Sequence, residues 1–362
     1  MLIGVTWKDS INEIEGKRKI IRVSEDVPQV GVLAFGLVDR GGTNIIEVRP
    51  TTLCPLSCIY CSVNAGPRST NRWAEFIDDP GGALLSALEE VIRFKDVNDV
   101  EVHIDGMGEP GVYPHLVELV RGGIKAISGV SRVSIQTRLY MLNDDSLREL
   151  AQAGLDRINL SVDSLNPELA KRISGVPWYD VNRVKDLVTH ALELGINVII
   201  SPVWLPGIND DDMVSIIKWA REAGLGKNEL PPVLIQKYIP HKRGRRVKVR
   251  VMTWQEFWGK IRELENKLGV KLSATNDGLN IHRAPKLPIP YDVDDEVKVR
   301  IISRGIIKGE FLGVILPLRN SVIYDRVITV IAEPNMEKIL IGKQVKVRII
   351  ENNNNIYIGR LI

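Results

Sequence analysis

Cys54-Pro55-Leu56-Ser57-Cys58-Ile59-Tyr60-Cys61 holds all three cysteines of the chain. Three thiolates can hold three irons of a 4Fe–4S cube and leave the fourth iron without a protein ligand. A structural zinc site or a set of packed thiols is the other reading. Structural zinc wants four closed ligands, and the nearest candidates for a fourth, His103 and His115, stand far along the chain. The C-x-x-x-C-x-x-C spacing, with an aromatic just before the last cysteine, favours the cluster.

This segment resembles the signature of the radical S-adenosylmethionine (radical SAM) superfamily, with Tyr60 as its aromatic. The resemblance implies a cluster on Cys54, Cys58 and Cys61, with SAM chelated to the open iron through its amino and carboxylate groups. Reductive cleavage of SAM would then release a 5′-deoxyadenosyl radical that abstracts hydrogen from an inert C–H bond. In such a division of labour the cofactor carries the hard chemistry and the protein positions it.

At 362 residues the chain is expected to hold one large domain and a smaller one, with apolar content ample for a core. No apolar run is long enough for a bilayer, and MLIGVTWKDS lacks the pattern of a signal peptide. A cytoplasmic location is expected, as clustered thiols without partners elsewhere argue against a disulfide framework. The net charge of +3 says little about partners.

From residue 44, short β-branched runs alternate with helix-period segments, the pattern of βα units around a parallel sheet. Strands are predicted at Ile45–Val48, Val100–Ile104, Val133–Thr137, Arg157–Val162, Val198–Pro202 and Val233–Tyr238. Helices are predicted at Gly82–Lys95, His115–Ile127, Asp144–Ala153, Val181–Leu194, Asp211–Ala223 and Trp254–Leu268. The expected fold class is α/β: a partial TIM-like barrel, for which the resemblance implies the (β/α)6 form, over 44–285. A β-rich extension, 1–43, precedes it, with a strand pair within Pro28–Val38. A small all-β barrel of OB-like type follows over 286–362.

In α/β barrels the site collects at the C-terminal ends of the strands. The second strand ends in Asp105-Gly106-Met107-Gly108-Glu109-Pro110, which resembles the family's GGEP element with Met107 in place of the first glycine. Gly108, Glu109 and Pro110 match. Gly108 is expected to let backbone approach a ligand, and Glu109 to accept from the ammonium of SAM. Arg138, Ser161 and Asp163, at the next two strand ends, are the candidates that the resemblance implies for the ribose and carboxylate of SAM; helix capping is their ordinary alternative. Arg172 is a candidate partner of the SAM carboxylate or a solvated residue. Asn209 and Asp210 are expected to cap the helix after the fifth strand.

Beyond the sixth strand, Lys237 to Arg250 carries seven Lys or Arg and no acid. Such a run beside an active-site rim attracts a polyanion such as RNA, with Lys242, Arg243, Arg245 and Arg246 as contacts; a solvated surface is the alternative. A proline-rich junction, Arg283 to Pro290, is followed by strand-like runs at Glu296–Ile302, Gly305–Pro317, Val327–Ile331, Gln344–Ile350 and Ile356–Ile362. Residues 341–350 (IGKQVKVRII) and 356–361 (IYIGRL) resemble a TRAM domain, a module known on tRNA- and rRNA-modifying enzymes. That resemblance implies phosphate contacts by Arg300, Lys343, Lys346 and Arg348.

Radical enzymes that methylthiolate, or that methylate RNA through a cysteine, need further thiols, and the chain has none. The leading expectation is therefore modification of a tRNA or other RNA nucleoside by direct hydrogen abstraction, with a ferredoxin- or flavodoxin-type electron donor. A small metabolite or a protein as substrate, with the tail serving assembly, is the second reading. A non-catalytic RNA-binding iron–sulfur protein is the third.

Overall fold

The computed structural model describes residues 18–226, 230–273 and 279–362. Residues 1–17, and with them the opening MLIGVTWKDS, lie outside the described residues. Strand β1 (Lys19–Arg22) pairs in parallel with β4 (Ala74–Ile77), a unit that no periodicity announces. The main sheet runs β2 (Gly36–Asp39), β3 (Ile45–Arg49), β5 (Val100–Ile104), β6 (Val130–Thr137), β7 (Arg157–Leu160) and β8 (Asn197–Ile200). Its strands are parallel except β2, which is antiparallel to β3 at the edge. The strand pair expected within Pro28–Val38 reduces to an isolated bridge, Val30 to Leu37; the ladder itself is made by β2 with β3.

The expected sixth strand, Val233–Tyr238, is not one continuous strand. Its start bridges Ile200 of β8, and β10 (Gln236–Lys237) pairs with β9 (Val203–Trp204). Pro202, which has no N–H to give the ladder, separates the two contacts. Among the described residues the helices of eight residues or more are α1 (Leu85–Lys95), α2 (Asp144–Ala153), α3 (Pro167–Ser174), α4 (Val181–Glu193), α5 (Asp210–Glu222) and α6 (Trp254–Leu268). Caps fix several starts, with Asn143 and Ser146 boxing α2 and Thr253 and Glu256 boxing α6. The helix expected over His115–Ile127 breaks into a helical turn, a π-turn and a 3-10 turn. Gly122 and Gly123 weaken it, and a Cβ on Gly123 would meet the Leu85 side chain at 2.6 Å.

Parallel strands covered on both faces are usually apolar throughout. Here Val100, Val102 and Ile104 enter the core with the helices, while Glu101 and His103 point the other way. There Glu101 pairs with Arg157 and with Arg132 at 3.3 Å, and Ser134 bonds both Glu101 (2.6 Å) and His103 (2.8 Å). The inner face is thus polar and hydrogen-bonded, which marks it as the functional face.

The C-terminal segment is a closed five-stranded barrel: β11 (Glu296–Arg304), β12 (Glu310–Leu316), β13 (Val327–Ile331), β14 (Gln344–Glu351) and β15 (Ile358–Leu361), ordered β11-β12-β13-β15-β14. All pairs are antiparallel except β13 with β15, which is consistent with a small OB-like barrel. β12 begins five residues later than expected, because Ile306, Ile307 and Lys308 leave the barrel to bond residues 71–73.

The two bodies are not strung on a loose linker. Lys95, buried at the end of α1, donates to Asp39 (2.9 Å), Thr43 O (2.8 Å) and Pro285 O (3.0 Å), and Asp39 also accepts from Leu287 N (2.8 Å). Between the bodies Phe35, Phe76, Met107, Ile306, Leu312 and Val327 form one apolar cluster. Met107, the departure from the GGEP pattern, is therefore an anchor for the C-terminal barrel. Leu312→Ala should cost about 2–5 kcal/mol, read as a lower denaturation midpoint. An unchanged midpoint would show that this cluster does not bind the two bodies.

Candidate functional site

The cysteine loop follows β3 and is held almost entirely through backbone. Leu53 O accepts from Glu109 N (2.7 Å), while Ser57 N and Ile59 N donate to Ser174 O and Ile173 O at the end of α3 (both 3.0 Å). Gly175 caps α3 at φ +72°, and a Cβ there would lie 2.0 Å from Ser57 O. Gly108 is equally constrained, since its Cβ would fall 2.3 Å from Leu53 O. The close approach it permits here is to the cysteine loop. Arg245 clamps the far side of the loop: its N–H donates to Cys61 O (2.8 Å) and its guanidinium to Cys58 O (3.0 Å) and Ala65 O (2.6 Å).

Cys54 is buried and Cys58 and Cys61 are half-buried. Burial pushes the Cys58 thiol up to about 11, against the pull of Arg138, and also raises Cys54 well above the usual thiol range. Thiolates in such a place need positive charge beside them. The fully buried guanidinium of Arg72 lies behind Cys54 and Cys61, ion-paired to Glu75 at 3.3 Å, and its Nε has no partner among the described residues. Among the described residues no three His, Cys, Asp or Glu side chains gather around a single metal-ion position. A cluster takes each thiolate to a different iron and needs no shared point, so the donor set fits an iron–sulfur cube better than zinc. His103 is engaged with Ser134, and His115 sits 3.3 Å from Glu118; neither reaches the loop.

Beside the loop lies a buried polar hub. Asp163 accepts from the Tyr60 hydroxyl (2.8 Å), the Arg138 guanidinium (2.6 Å) and Val203 N (2.9 Å). Arg138 also donates to the Tyr60 hydroxyl (2.7 Å) and lies between the rings of Tyr60 and Tyr179, 5.9 and 5.8 Å from their centroids. Burial opposes its charge, but the Cys58, Tyr60 and Asp163 groups around it outweigh burial and raise it. Glu109 accepts from Gly111 N (3.0 Å), Arg138 N (3.0 Å) and the Thr137 hydroxyl. A carboxylate has about four acceptor positions, so roughly one remains. Burial raises Glu109 despite these bonds. Pro110 is buried in the turn that follows.

The structure thus brings Tyr60, Glu109, Arg138 and Asp163 together with the cysteines. Ser161, at the end of β7, accepts from Gln136 at 2.6 Å on the same rim. Arg172 is exposed on α3, outside the hub. Asn209 stands at the N-cap of α5 as expected, but neither it nor Asp210 makes a side-chain bond to the helix N–H groups. Asn209 braces the hub by donating to Asp163 O (2.9 Å) and Val203 O (3.0 Å), and Asp210 accepts from the Trp204 indole (2.8 Å).

Two expected RNA contacts are engaged inside the protein: Arg245 by the cysteine loop, and Arg243 by Glu310 of the C-terminal barrel at 2.8 Å. Lys346 and Arg348 share Glu296 at 2.6 and 2.7 Å. The sequence reading missed Thr137, Tyr179 and Arg72. Thr137 sits at a strand end and was open to the same rim argument, whereas nothing local marks the other two.

A cavity of about 600 Å³ opens between the bodies. Its floor includes Arg49 and Asp105 at strand ends and Ser62 and Val63 of the cysteine loop, and Lys242 lines one side. Ile350, Asn353, Asn354, Ile356 and Arg360 of the C-terminal barrel form the opposite wall.

Residues 48–220 match the family described as the radical SAM superfamily. The chain belongs to that superfamily. It is 36% identical, over all of its length and 85% of the relative, to an uncharacterized protein of Methanocaldococcus jannaschii. It is 26% identical to a probable GTP 3′,8-cyclase of Pyrococcus abyssi, covering 79% of this chain and 92% of that one. Among solved structures, Streptococcus suis SuiB bound to S-adenosylmethionine superposes with a TM-score of 0.45 and 17% identity over 62% of this chain and 48% of that one. The cofactors of this radical SAM enzyme are a 4Fe–4S cluster and SAM. No helix among the described residues is long and apolar enough to cross a membrane.

Two outcomes test this geometry. Asp163→Asn leaves the buried Arg138 without its counter-charge and should cost about 3–5 kcal/mol in urea denaturation; a loss below 1 kcal/mol would remove Asp163 from the centre of the hub. Burial lowers His103 to about 4, so the unfolded chain binds its proton first as pH falls. Its contribution to stability is complete above about 6.5 and is lost between there and pH 4, amounting to about 2 kcal/mol at pH 5. His103→Gln should flatten the stability profile in that window.

Proposed function

We propose that this radical SAM enzyme modifies an RNA nucleoside, with tRNA the leading candidate. Cys54, Cys58 and Cys61 hold the cluster, and Glu109, Tyr60, Arg138, Asp163 and Ser161 form the SAM side of the site. When bound, cluster and SAM supply a 5′-deoxyadenosyl radical for hydrogen abstraction. The chain's own task is to orient and enclose. Glu109, fixed by Thr137 and two backbone N–H groups, offers its remaining acceptor position to the ammonium of SAM. Arg138 and Arg72 set positive charge beside the thiolates. Arg172, exposed on α3, stays a candidate for the SAM carboxylate only if α3 side chains turn inward on binding.

The single observation that carries the RNA reading is the outer face of the C-terminal barrel. Lys298 stands directly opposite Lys346 across β11 and β14, beside Arg300. Like charges at directly opposed positions are destabilising, and phosphates would relieve them. Arg300 and Lys343 carry no ion pair among the described residues, and Lys346 and Arg348 share one carboxylate. This supports a TRAM-type role for the barrel. Lys242 and Arg246 extend the basic surface, and Lys237 lies 5.0 Å over the ring of Trp254, which stacks on Trp258. Both tryptophans are exposed, which suits stacking of unpaired bases. A reduced ferredoxin or flavodoxin is the electron donor in this reading. A free nucleotide as substrate is the second reading, favoured by the similarity to the probable GTP 3′,8-cyclase of Pyrococcus abyssi.

The reconstituted, dithionite-reduced protein should form 5′-deoxyadenosine anaerobically, and bulk unmodified tRNA should stimulate it several-fold. Cys58→Ala should lose both cluster absorbance and SAM cleavage. Turnover indifferent to tRNA would overturn the RNA reading, and normal turnover by Cys58→Ala would overturn the cluster assignment.

A further inference from the structure

We infer that the C-terminal barrel is a wall of the active site, and that its Asn353–Asn354 turn with Arg360 receives the reacting nucleoside and its phosphate. The inference rests on the proposed nucleoside reading and gives it a location.

A run of four asparagines, Asn352–Asn355, joins β14 to β15. Two of them are used up by the fold. Asn352 donates to Tyr291 O (3.1 Å), and Asn355 donates to Leu287 O (3.2 Å) while accepting from Arg326. Asn353 and Asn354 are exposed, line the cavity, and have no side-chain hydrogen bond among the described residues. Asn354 has φ +53°, a left-handed backbone that asparagine tolerates better than most residues. The turn therefore presents two free amides, each a donor and an acceptor, to the space beyond the cysteine loop.

Next to them Ile350 and Ile356 are half-buried and give an apolar surface of the kind a base face covers. Arg360 stands opposite Arg348 across β15 and β14. Arg348 is neutralised by Glu296, whereas Arg360 carries no ion pair among the described residues. Lys242 faces the same cavity and is likewise unpaired there. Two acids also line the cavity, Asp105, paired with Arg40 at 3.7 Å, and Glu351; the amides that read base edges, the apolar plane and the unpaired Lys242 and Arg360 are together the complement of a nucleoside phosphate. The cavity also touches Ser62 and Val63, directly after Cys61, so its occupant lies next to the cluster loop. A barrel serving only assembly has no reason to keep these groups unpaired at that point.

The nucleoside phosphate can belong to an RNA chain or be free, and the test separates these sources. Asn353→Ala/Asn354→Gly removes both amides without straining the turn, because glycine accepts positive φ; Arg360→Ala removes the free cation. Full-length, cluster-loaded protein is assayed for 5′-deoxyadenosine formation against bulk unmodified tRNA, and separately against an equimolar mixture of ATP, GTP, CTP and UTP. Direct binding of labelled tRNA is measured in parallel. With tRNA, both variants should raise the half-saturating concentration at least tenfold while cluster absorbance and Tm stay those of the parent. Unchanged half-saturation in both variants, with tRNA stimulation intact, would overturn the cavity assignment and leave the RNA reading standing. Stimulation by the mononucleotides alone, weakened tenfold in the variants, would overturn the RNA reading and keep the cavity assignment. Stimulation by neither probe would overturn both.

Discussion

The carboxylate of Asp163 is the joint on which the site turns. It sits past the end of β7, takes the guanidinium of Arg138 from the end of β6 and the phenol of Tyr60 from the cysteine loop, and accepts the N–H that begins β9. Its own carbonyl is held by Asn209 at the start of α5. Four chain segments that are distant in sequence are thereby fixed through one buried acid. Such a hub is stable only while every member is present, since a buried charge without its partner is costly. Rigidity of this kind suits a site that must hold a reactive cofactor in one orientation.

The charge pattern on the inner face of the sheet follows a related logic. Glu101 is shared by Arg132 and Arg157, and Glu47 lies with Arg40 and Arg49. Each of these acids is matched by two guanidinium groups, so the acids there do not compete with SAM or a substrate for cations. Lys242 and Arg360, which carry no ion pair among the described residues, line the cavity beneath the C-terminal barrel. Paired acids on the inner face and unpaired cations at the cavity favour an anionic occupant.

Local signals made much of this legible. The cysteine triplet, the strand-end acids and the period-two runs each depend on neighbours in sequence, and so each shows in the letters. What escaped depends on distant contacts. Arg245 and Arg246 look alike in a basic run, yet the first spends its donors on Cys58 and Ala65 carbonyls and the second stays in water. Asn209 stands at the N-cap of α5, but its Oδ1 accepts from Leu205 N instead of a helix N–H, and its amide N–H groups donate to the Asp163 and Val203 carbonyls. Arg72 reveals itself only once Glu75, Arg18 and the cysteine loop enclose it.

Met107 shows how one substitution in a motif can carry an architectural change. A glycine at that place would expose the end of β5; a methionine fills the gap between Phe35, Phe76, Ile306 and Leu312, and so seats a second barrel over the strand ends. Once seated, that barrel contributes Arg360 and the asparagine turn to the cavity and receives Arg243 on Glu310. Arg243 and Arg245 are two residues apart, one holding the barrel and the other the cysteine loop. Gly244 joins the two, and its Cβ position is blocked by the carbonyls of Cys61 and Ser62 at 2.8 Å. The basic segment is less a surface patch than a strap that ties the C-terminal barrel to the cysteine loop.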